Sequence, residues 1–234
     1  MRYGRFKTQN CSIPPGAASG LWPSASRTAP NTSHRWPGQS GSDAATGNWA
    51  IVDVPKTQCY NGEVVAIERE AVASLSPRIV LERSTPAGMP LPQEHHFQWG
   101  QLLREPHWDM TQNYVDAVPL WPQDLRAGAS SEIRTDYRVD NFSYPFWISV
   151  QTVVKRWERV SLPLGNFNAL HVERLIGLQH QDFTRLRTIR WEHLWLVPEI
   201  GRWVVRQLTG EYLTSGRRSG GREDHFRWEL TAWS

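Results

Sequence analysis

Residues 184–212 constrain the fold more than any other part of this chain, because they alternate in polarity on both sides of a short break. Five residues of the first arm share one face: Ile189, Trp191, His193, Trp195 and Val197. Arg190 and Glu192 fall on the other face. Successive side chains of a strand point to opposite faces, so this period of two is typical of a half-buried antiparallel strand. The segment predicts a β-hairpin that turns at residues 197–201. Its return arm repeats the pattern weakly, with Trp203 and Val205 on one face.

Strand-like segments continue along most of the chain after residue 46. The candidates are Trp49–Val54, Glu63–Ala73, Arg78–Glu82, His95–Leu103, Ile133–Val139, Phe146–Arg159, Asn168–Ile176, Thr184–Val197, Arg202–Glu211 and His225–Trp233. The breaks contain turn residues, as in the Pro-rich stretch 84–93. Residues 117–129 are predicted to form a loop or a single helical turn. Apolar residues at helical spacing are not sustained anywhere, so helices should be few and short. Connections are brief and show no βαβ rhythm, which predicts an all-β fold with a mainly antiparallel sheet.

The N-terminal part of the chain has a different composition. Residues 11–47 are dominated by Ser, Pro, Gly, Ala, Thr and Asn and contain few aliphatic residues. Such a segment cannot bury enough apolar surface to offset the entropy that it loses on ordering. We therefore expect residues 1–45 to be a disordered or aberrant N-terminal segment and residues 46–234 to form a single antiparallel β domain. Cys11 and Cys59 predict neither a disulfide framework nor a zinc site, and whether they pair is left open.

The formal net charge of +3 does not indicate a nucleic-acid partner. The excess lies in residues 1–45, which hold five basic residues and one acid, whereas residues 46–234 hold 21 basic and 22 acidic residues. A phosphate-binding surface needs clustered positive charge on the folded part of a protein. The run that contains Arg217, Arg218 and Arg222 lies in a Gly-rich stretch, which is typical of a solvated loop. No nucleic-acid partner is predicted.

Tryptophan is unusually frequent, with 13 in the chain and 11 of them after residue 46. One interpretation is core packing, since each ring can bury roughly 150–250 Å². The other is a row of rings that stacks on sugars or lines a cavity for an apolar ligand. Most of these tryptophans lie in or beside strongly patterned segments, which favours packing, and the two interpretations are compatible.

The sequence contains no recognisable catalytic motif. It has no Gly-x-Ser-x-Gly elbow, no motif that marks a cysteine nucleophile and no phosphate-binding loop. Four carboxylates alternate with bases along predicted strands, as expected for cross-strand ion pairs on a solvated face: Glu158, Glu173, Glu192 and Glu211. The histidines lack zinc-site spacing, and His193 is expected to be a hydrogen-bonded core residue. The prediction is a protein that is not an enzyme and that has no metal or cofactor.

Targeting signals are also missing from the chain as written. No stretch approaches the ~20 consecutive apolar residues of a membrane-spanning helix. The first residues, MRYGRFKTQNC, begin with basic side chains, but no apolar region of about 7–15 residues follows them. By these residues alone, a cytoplasmic or otherwise unexported protein is expected.

Three stretches resemble a group of bacterial exported β proteins of unknown function. Residues 157–172, WERVSLPLGNFNALHV, follow the pattern Val-x-Val-Pro-Ala-Gly-x-Phe-x-Ala at Val160, Pro163, Gly165, Phe167 and Ala169, with Leu162 and Leu164 as departures. Residues 195–204, WLVPEIGRWV, follow Trp-x-Ala-Pro-x-x-Gly-x-x-Val at Trp195, Pro198, Gly201 and Val204, with Val197 in place of Ala. Residues 119–128, PLWPQDLRAG, are similar to a Pro-x-Trp-Pro-Leu-x-x-Gly stretch of the group. The resemblance covers roughly residues 46–233.

The resemblance implies a large curved sheet or half-barrel, like that of periplasmic lipoprotein carriers, in a periplasmic or envelope-associated protein. The group normally begins with a signal peptide or a lipidation site, and this chain departs from that pattern. We expect a non-enzymatic envelope protein that binds a lipid-like, hydrophobic or amphiphilic molecule, or an envelope protein partner, on a Trp-rich concave face. The candidate ligand-binding residues are Trp191, His193, Trp195, Trp203 and Trp147. The alternative is a carbohydrate-binding module that displays tryptophan rings on an outer face.

Overall fold

The computed structural model describes residues 51–198, 200–215 and 220–233, without the side chains of residues 51, 52 and 233. The disorder expected for residues 1–45, the domain boundary near residue 46 and Cys11 all lie outside these ranges.

The described chain is built from strands joined by turns and short loops. The first seven strands are β1 (Ile51–Gln58), β2 (Glu63–Ser74), β3 (Ile79–Ser84), β4 (Pro90–His96), β5 (Gln101–Glu105), β6 (Gln112–Pro119) and β7 (Ser130–Val139). The others are β8 (Phe146–Leu162), β9 (Gly165–Leu178), β10 (Arg185–Val197), β11 (Arg202–Thr214), β12 (Gly220–Arg222), β13 (Phe226–Glu229) and β14 (Ala232–Trp233). No helix occurs within these residues. This differs from the few short helices expected.

All strands belong to one antiparallel sheet that closes on itself. Strands β1 to β10 each pair with the next in sequence, β1 also pairs with β13, β13 with β11, and β11 with β10. The result is a closed barrel of 12 strands, with β12 added beside β11 and β14 beside β1. The prediction of an all-β, mainly antiparallel fold is confirmed. The sheet is a full barrel and not a half-barrel, because β13 bridges the two ends of the curved sheet.

Several predicted strand boundaries were wrong. The segment predicted as one strand, His95–Leu103, is split between β4 and β5 by a tight turn in which the Phe97 amide donates to the Gln101 carbonyl at 2.8 Å. Gly100 in this turn has a φ of 79°, a conformation that favours glycine. β4 begins inside the Pro-rich stretch expected to be a break, and β6 was not predicted. The predicted last strand, His225–Trp233, is divided between β13 and β14.

The hairpin expected at residues 184–212 is confirmed as β10 and β11, but its faces differ from the expectation. Trp195 lies opposite Val205, whereas Leu196 lies opposite Trp203. Val204 is therefore an extra residue, a bulge that reverses the alternation of β11. Because of it, Trp203 and Val205 lie on opposite faces of the sheet, and the prediction that they share a face was wrong.

The interior of the barrel is lined by the face of β10 that carries charged residues. Arg190, Glu192, Leu194 and Leu196 are each at most 2% exposed. Contacts between strands that are not neighbours in the sheet identify this side as the inside, since Arg206 on β11 pairs with Glu105 on β5. The Trp191 face therefore points outward, and the expectation that it is the concave face is corrected.

Apolar side chains fill the rest of the interior. The core includes Val54, Leu81, Leu102, Val118, Tyr137, Phe146, Ile148, Val172 and Leu194. The core-packing role considered for tryptophan holds for some of the rings, and others are partly exposed. Four rings are buried, those of Trp108, Trp121, Trp203 and Trp228. Three are each 37% exposed, those of Trp147, Trp157 and Trp191.

Candidate functional site

Arg206 is the centre of a buried group of ion pairs, the Arg206 cluster, that joins opposite walls of the barrel. Its guanidinium lies 2.5 Å from Glu192 on β10 and also pairs with Glu105 on β5. Glu192 accepts a second hydrogen bond from Arg174 on β9. Glu105 accepts one from the Tyr114 hydroxyl at 2.9 Å. The cluster is thus a chain of alternating charges across the interior, in which each carboxylate has two donors.

A second group, the His107 cluster, lies beside it on the β2–β4 wall. His107 Nδ1 is 3.1 Å from a Glu94 oxygen, and Nε2 is 3.5 Å from Glu70. Glu94 also contacts His96 Nε2 at 2.8 Å, and Glu70 contacts Arg202 at 2.7 Å. Arg83 completes the cluster through its pair with Glu68.

The two clusters together are close to neutral. The five carboxylates of Glu68, Glu70, Glu94, Glu105 and Glu192 face the four guanidinium groups of Arg83, Arg174, Arg202 and Arg206. Protonated His107 would supply the fifth positive charge. Burial and the nearby Arg206 and Arg83 oppose that protonation, but hydrogen bonds to Glu70 and Glu94 outweigh them and raise the pKa of His107.

The buried carboxylates stay ionised through their partners. Burial alone would raise the pKa of Glu70, but Arg202 and His107 lower it to about 2. Burial likewise opposes the ionisation of Glu105, and Arg206 and Arg174 lower its pKa to about 2. A carboxyl group with so low a pKa is a poor proton donor at neutral pH. The interior charges therefore pair with one another across the barrel walls.

A pocket opens at the end of the barrel where β1, β5 and β11 end and β10 and β13 begin. Its volume is about 380 Å³, within the ~300–1,000 Å³ typical of small-molecule sites. The lining residues are Lys56, His107, Trp108, Asp109, Arg185, Arg190, Leu208, Arg222, Glu223, Asp224 and Phe226. His107 belongs both to this lining and to the His107 cluster. The buried charged network is therefore in contact with the pocket through His107.

Arginine and carboxylate side chains form a paired wall of the pocket. Glu223 accepts hydrogen bonds from Arg185 at 2.8 Å and from Arg190 at 2.5 Å. Asp109 contacts Arg190 at 3.2 Å and His180 at 3.2 Å. Burial opposes the ionisation of Asp109, but His180 and Arg190 hold its pKa well below the usual range. These carboxylates are already occupied by cations of the protein itself.

Two cations of the pocket, Lys56 and Arg222, differ from Arg185 and Arg190 in their partners. Within the part of the chain that the structure describes, neither Lys56 nor Arg222 has a carboxylate at ion-pair distance. Lys56 Nζ lies 3.8 Å above the centre of the Phe226 ring, and burial lowers its pKa. The Arg190 guanidinium lies 4.2 Å from the Trp108 ring. The pocket thus offers positive charge beside aromatic rings.

The predicted ligand-binding residues do not form one surface. Trp191 and Trp147 are on the outer face of the barrel, and Trp203 is buried inside, 6.2 Å from the His107 ring. His193 and Trp195 do come together on the outer face, with ring centres 6.1 Å apart. His193 is not a core histidine, since its ring contacts His171 on that face.

The pocket and the buried clusters were missed from the sequence. The alternation of Glu192 with its neighbours suggested a solvated face, yet Glu192 is 0% exposed. Its partners, Arg174 and Arg206, lie on β9 and β11, so no spacing within β10 indicates that they are near. The one available signal was the face of β10 opposite the aromatics, where Arg190 and Glu192 are followed by Leu194 and Leu196. Leucines on a charged face are unexpected for a strand side that points to solvent.

Fold and site together define a closed antiparallel barrel with a paired-charge interior and a pocket at one end. Among solved structures, a candidate exported protein with a YmcC-like fold from Bacteroides fragilis NCTC 9343 is similar, with a TM-score of 0.50 and 14% identity. The match covers 80% of this chain and 97% of that one. A likeness at this identity concerns the fold alone.

Two further solved structures are similar to a lower degree. A candidate lipoprotein from Parabacteroides distasonis ATCC 8503 matches with a TM-score of 0.49 and 11% identity, over 81% of this chain and 96% of that one. The hypothetical lipoprotein YmcC from Escherichia coli K12 matches with a TM-score of 0.45 and 10% identity, over 80% and 85%. No protein-family model and no curated protein matches the chain. The described residues include no helix with the length and apolarity to cross a membrane.

Proposed function

We propose that this chain is a non-enzymatic protein of the bacterial envelope, and that its pocket binds an amphiphilic molecule with an anionic head group. The observation that carries the proposal is the pairing of cations with rings in the pocket, where Lys56 lies over Phe226 and Arg190 over Trp108. A phosphate or carboxylate head could contact Lys56 and Arg222, while the adjoining alkyl chain covers Phe226 and Leu208.

A binding role fits the pocket better than catalysis. Asp109 and Glu223 are held by arginines, and the low pKa of Asp109 removes it as a proton donor near neutral pH. The envelope part of the proposal draws on the fold shared with the exported protein from Bacteroides fragilis. Fractionation of native cells, with detection of the chain by antibody, tests it. Recovery from the cytoplasm would contradict an envelope location.

Titration with dodecyl phosphate below its micellar concentration tests the ligand class. We expect saturable binding by calorimetry, with a change in tryptophan emission because Trp108 lines the pocket. Dodecyl maltoside, with the same tail and a neutral head, should bind at least about tenfold more weakly, since a hydrogen bond to a charged group contributes about 1.5–3 kcal/mol.

The variant Lys56→Gln/Arg222→Gln should weaken binding of dodecyl phosphate by a similar factor. Arg69→Gln is the matched control, because Arg69 is exposed and pairs with Asp53 outside the pocket. Equal affinity of the double variant and the wild type, or no binding by the wild type, would contradict the proposal.

The carbohydrate-binding alternative keeps one specific observation in its favour. On the outer face, the Trp147 ring lies 3.9 Å from the position a Cβ would take on Gly177, so it covers β9 at a residue without a side chain. Leu175, two residues away, is opposite Trp191 on β10. These side chains form a half-exposed apolar strip across β8 to β10. Soluble oligosaccharides that bind wild type but not Trp147→Ala/Trp191→Ala would favour this function.

A further inference from the structure

Three side chains with metal-binding atoms converge on the outer face of the barrel, and none of them belongs to the pocket lining. His171 and Glu173 project from β9, and His193 projects from β10 directly opposite Glu173. His171 Nε2 lies 3.0 Å from His193 Nδ1, and the latter lies 3.8 Å from Glu173 Oε1. One ligand atom from each residue falls within 4.8 Å of both others.

A second such group lies inside the barrel, but it is already neutralised. It consists of Glu68, Glu70 and His107, all buried. Arg83 pairs with Glu68, and Arg202 lies 2.7 Å from Glu70. A metal ion there would have to displace guanidinium groups that have no access to water. Among the residues that the structure describes, the outer group pairs with one cation, the partly exposed Lys155, and with no arginine, so the outer face is the better candidate.

We propose that His171, Glu173 and His193 form a binding site for a divalent transition-metal ion of the zinc type. Two imidazole nitrogens and one carboxylate oxygen are the ligand set of zinc sites that keep a fourth position open for water. The Glu173 side chain is 37% exposed and that of His193 is 16% exposed, so the fourth position lies on the solvent side. This site is separate from the pocket and does not depend on the function proposed for it.

Groups around the three ligands are placed to orient them. His171 is 7% exposed, and its Nδ1 atom has no hydrogen-bond partner among the described residues. The nearest carboxylate oxygen is Glu158 Oε1, at 3.8 Å. With Nε2 on a metal ion, Nδ1 would carry a proton toward Glu158, the carboxylate–histidine–metal arrangement that fixes a ligand's tautomer. The Trp195 ring stacks on the His171 ring, with ring centres 4.7 Å apart and an angle of 2° between the ring planes. This stacking restricts rotation of the imidazole.

Glu173 divides its two oxygens between different neighbours. Lys155 Nζ lies 3.0 Å from Oε2, whereas Oε1 faces His193. The lysine therefore holds the carboxylate on one side and leaves the other oxygen for an ion.

The two imidazoles need only a small adjustment to accept zinc, and Glu173 Oε1, now 3.8 Å from His193 Nδ1, must also move closer. At a Zn–N distance of ~2.0–2.1 Å and tetrahedral angles, two ligating nitrogens lie about 3.4 Å apart. The two imidazoles now share a hydrogen bond at 3.0 Å, so they would separate by a few tenths of an ångström.

Calorimetric titration of the full chain with Zn²⁺, after removal of metal with EDTA and without an affinity tag, tests the proposal. We expect one equivalent to bind. His193→Gln and Glu173→Gln should each abolish stoichiometric binding, and Glu158→Gln should weaken it by about 10–100-fold, as is typical for a partner that orients a ligand. His95→Gln is the matched control, since His95 contacts Gln93 on β4 and should leave binding unchanged.

Absorption spectra with Co²⁺ identify the ligands independently. A site of nitrogen and oxygen ligands gives weak visible bands and no thiolate charge-transfer band. A thiolate band would assign the ion to a cysteine such as Cys59 and overturn the proposal. No stoichiometric Zn²⁺ binding by the wild type would overturn it as well, as would unchanged binding by the double variant His193→Gln/Glu173→Gln. Thermal unfolding of each metal-free variant separates loss of the site from loss of the fold.

Discussion

Glu105 on β5 and Arg206 on β11 pair inside the barrel, although 101 residues separate them in the chain. Both side chains are 0% exposed. Each also has a second partner, the Tyr114 hydroxyl for Glu105 and the Glu192 carboxylate for Arg206. The pair therefore ties two distant walls of the sheet through a network in which each of the two groups has a second partner.

Replacing Glu105 with Gln should destabilise the barrel by about 3–5 kcal/mol, because it removes the charge that compensates a buried guanidinium. Urea unfolding followed by circular dichroism measures the change. Asp124→Asn is the matched control, since Asp124 and its partner Arg126 are exposed and their ion pair should not affect the unfolding midpoint. A Glu105→Gln protein as stable as the wild type would show that the network contributes little.

The stability of the protein should fall as the pH drops below about 5. The pKa values of Glu70 and Glu105 are about 2 in the folded chain, whereas the ordinary value, which applies to the unfolded chain, is 4.5. Their contribution is thus complete above pH 4.5 and is lost as the pH falls toward 2, where the folded state also takes up protons. Urea midpoints at pH 7, 5, 4 and 3 measure the loss. Glu105→Gln should show a shallower decline, and a constant midpoint between pH 5 and 3 would contradict the expectation.

Gly100→Ala should destabilise the protein more than Gly88→Ala. Both glycines have positive φ, 79° for Gly100 and 84° for Gly88, so both substitutions incur backbone strain of about 1–2 kcal/mol. At Gly100 a Cβ would lie 2.5 Å from the Trp121 ring, whereas at Gly88 nothing lies within 4 Å. The buried indole must move, which adds about 1–3 kcal/mol. Melting temperatures of the two variants compare the effects, and equal losses would show that Trp121 can shift freely.

Lys56 should react with acetic anhydride at lower pH than Lys155. Burial lowers the pKa of Lys56, so its neutral, nucleophilic amine is present at a lower pH. Lys155 is half-exposed and pairs with Glu173 at 3.0 Å. Peptide mapping of the acetylation rate across pH 7–11 gives an inflection for each lysine, and this inflection does not depend on accessibility. Coincident inflections would contradict the lowered pKa, and protection of Lys56 by dodecyl phosphate would place that ligand in the pocket.

The period-two alternation at residues 184–212 was enough to predict β10 and β11. Alternation shows that a strand has two faces but not which face is inside. Assigning the aromatic face to the core follows the usual preference for burying apolar side chains, and here it failed. Arg190 and Glu192 can be buried because Glu223, Arg174 and Arg206 neutralise them. Those partners are brought together by the closed sheet and not by local spacing.

The face of Trp203, the strand β6 and the proposed metal ligands were also not predicted from the sequence. The bulge at Val204 changes the face of Trp203 without any Gly or Pro to signal it. β6 was missed because its residues, QNYVDAVP, carry polar side chains on both faces. Two of these polar residues take part in interior or neighbouring networks, since Gln112 contacts Tyr114 and Asn113 contacts Arg104. The proposed metal ligands were not apparent from the sequence, because His193 lies on a different strand from His171 and Glu173. Only the pairing of β10 with β9 places His193 opposite Glu173.

The pairing of β1 with β13 has a consequence for how the chain acquires its shape. Lys56 lies opposite Trp228, so one of the first described strands finds a partner only among the last. During synthesis the sheet can grow by successive hairpins, but its two edges remain open until β13 has left the ribosome. Open edges can pair with other chains. The nascent protein therefore faces its greatest risk of intermolecular association in the interval before the final strands emerge.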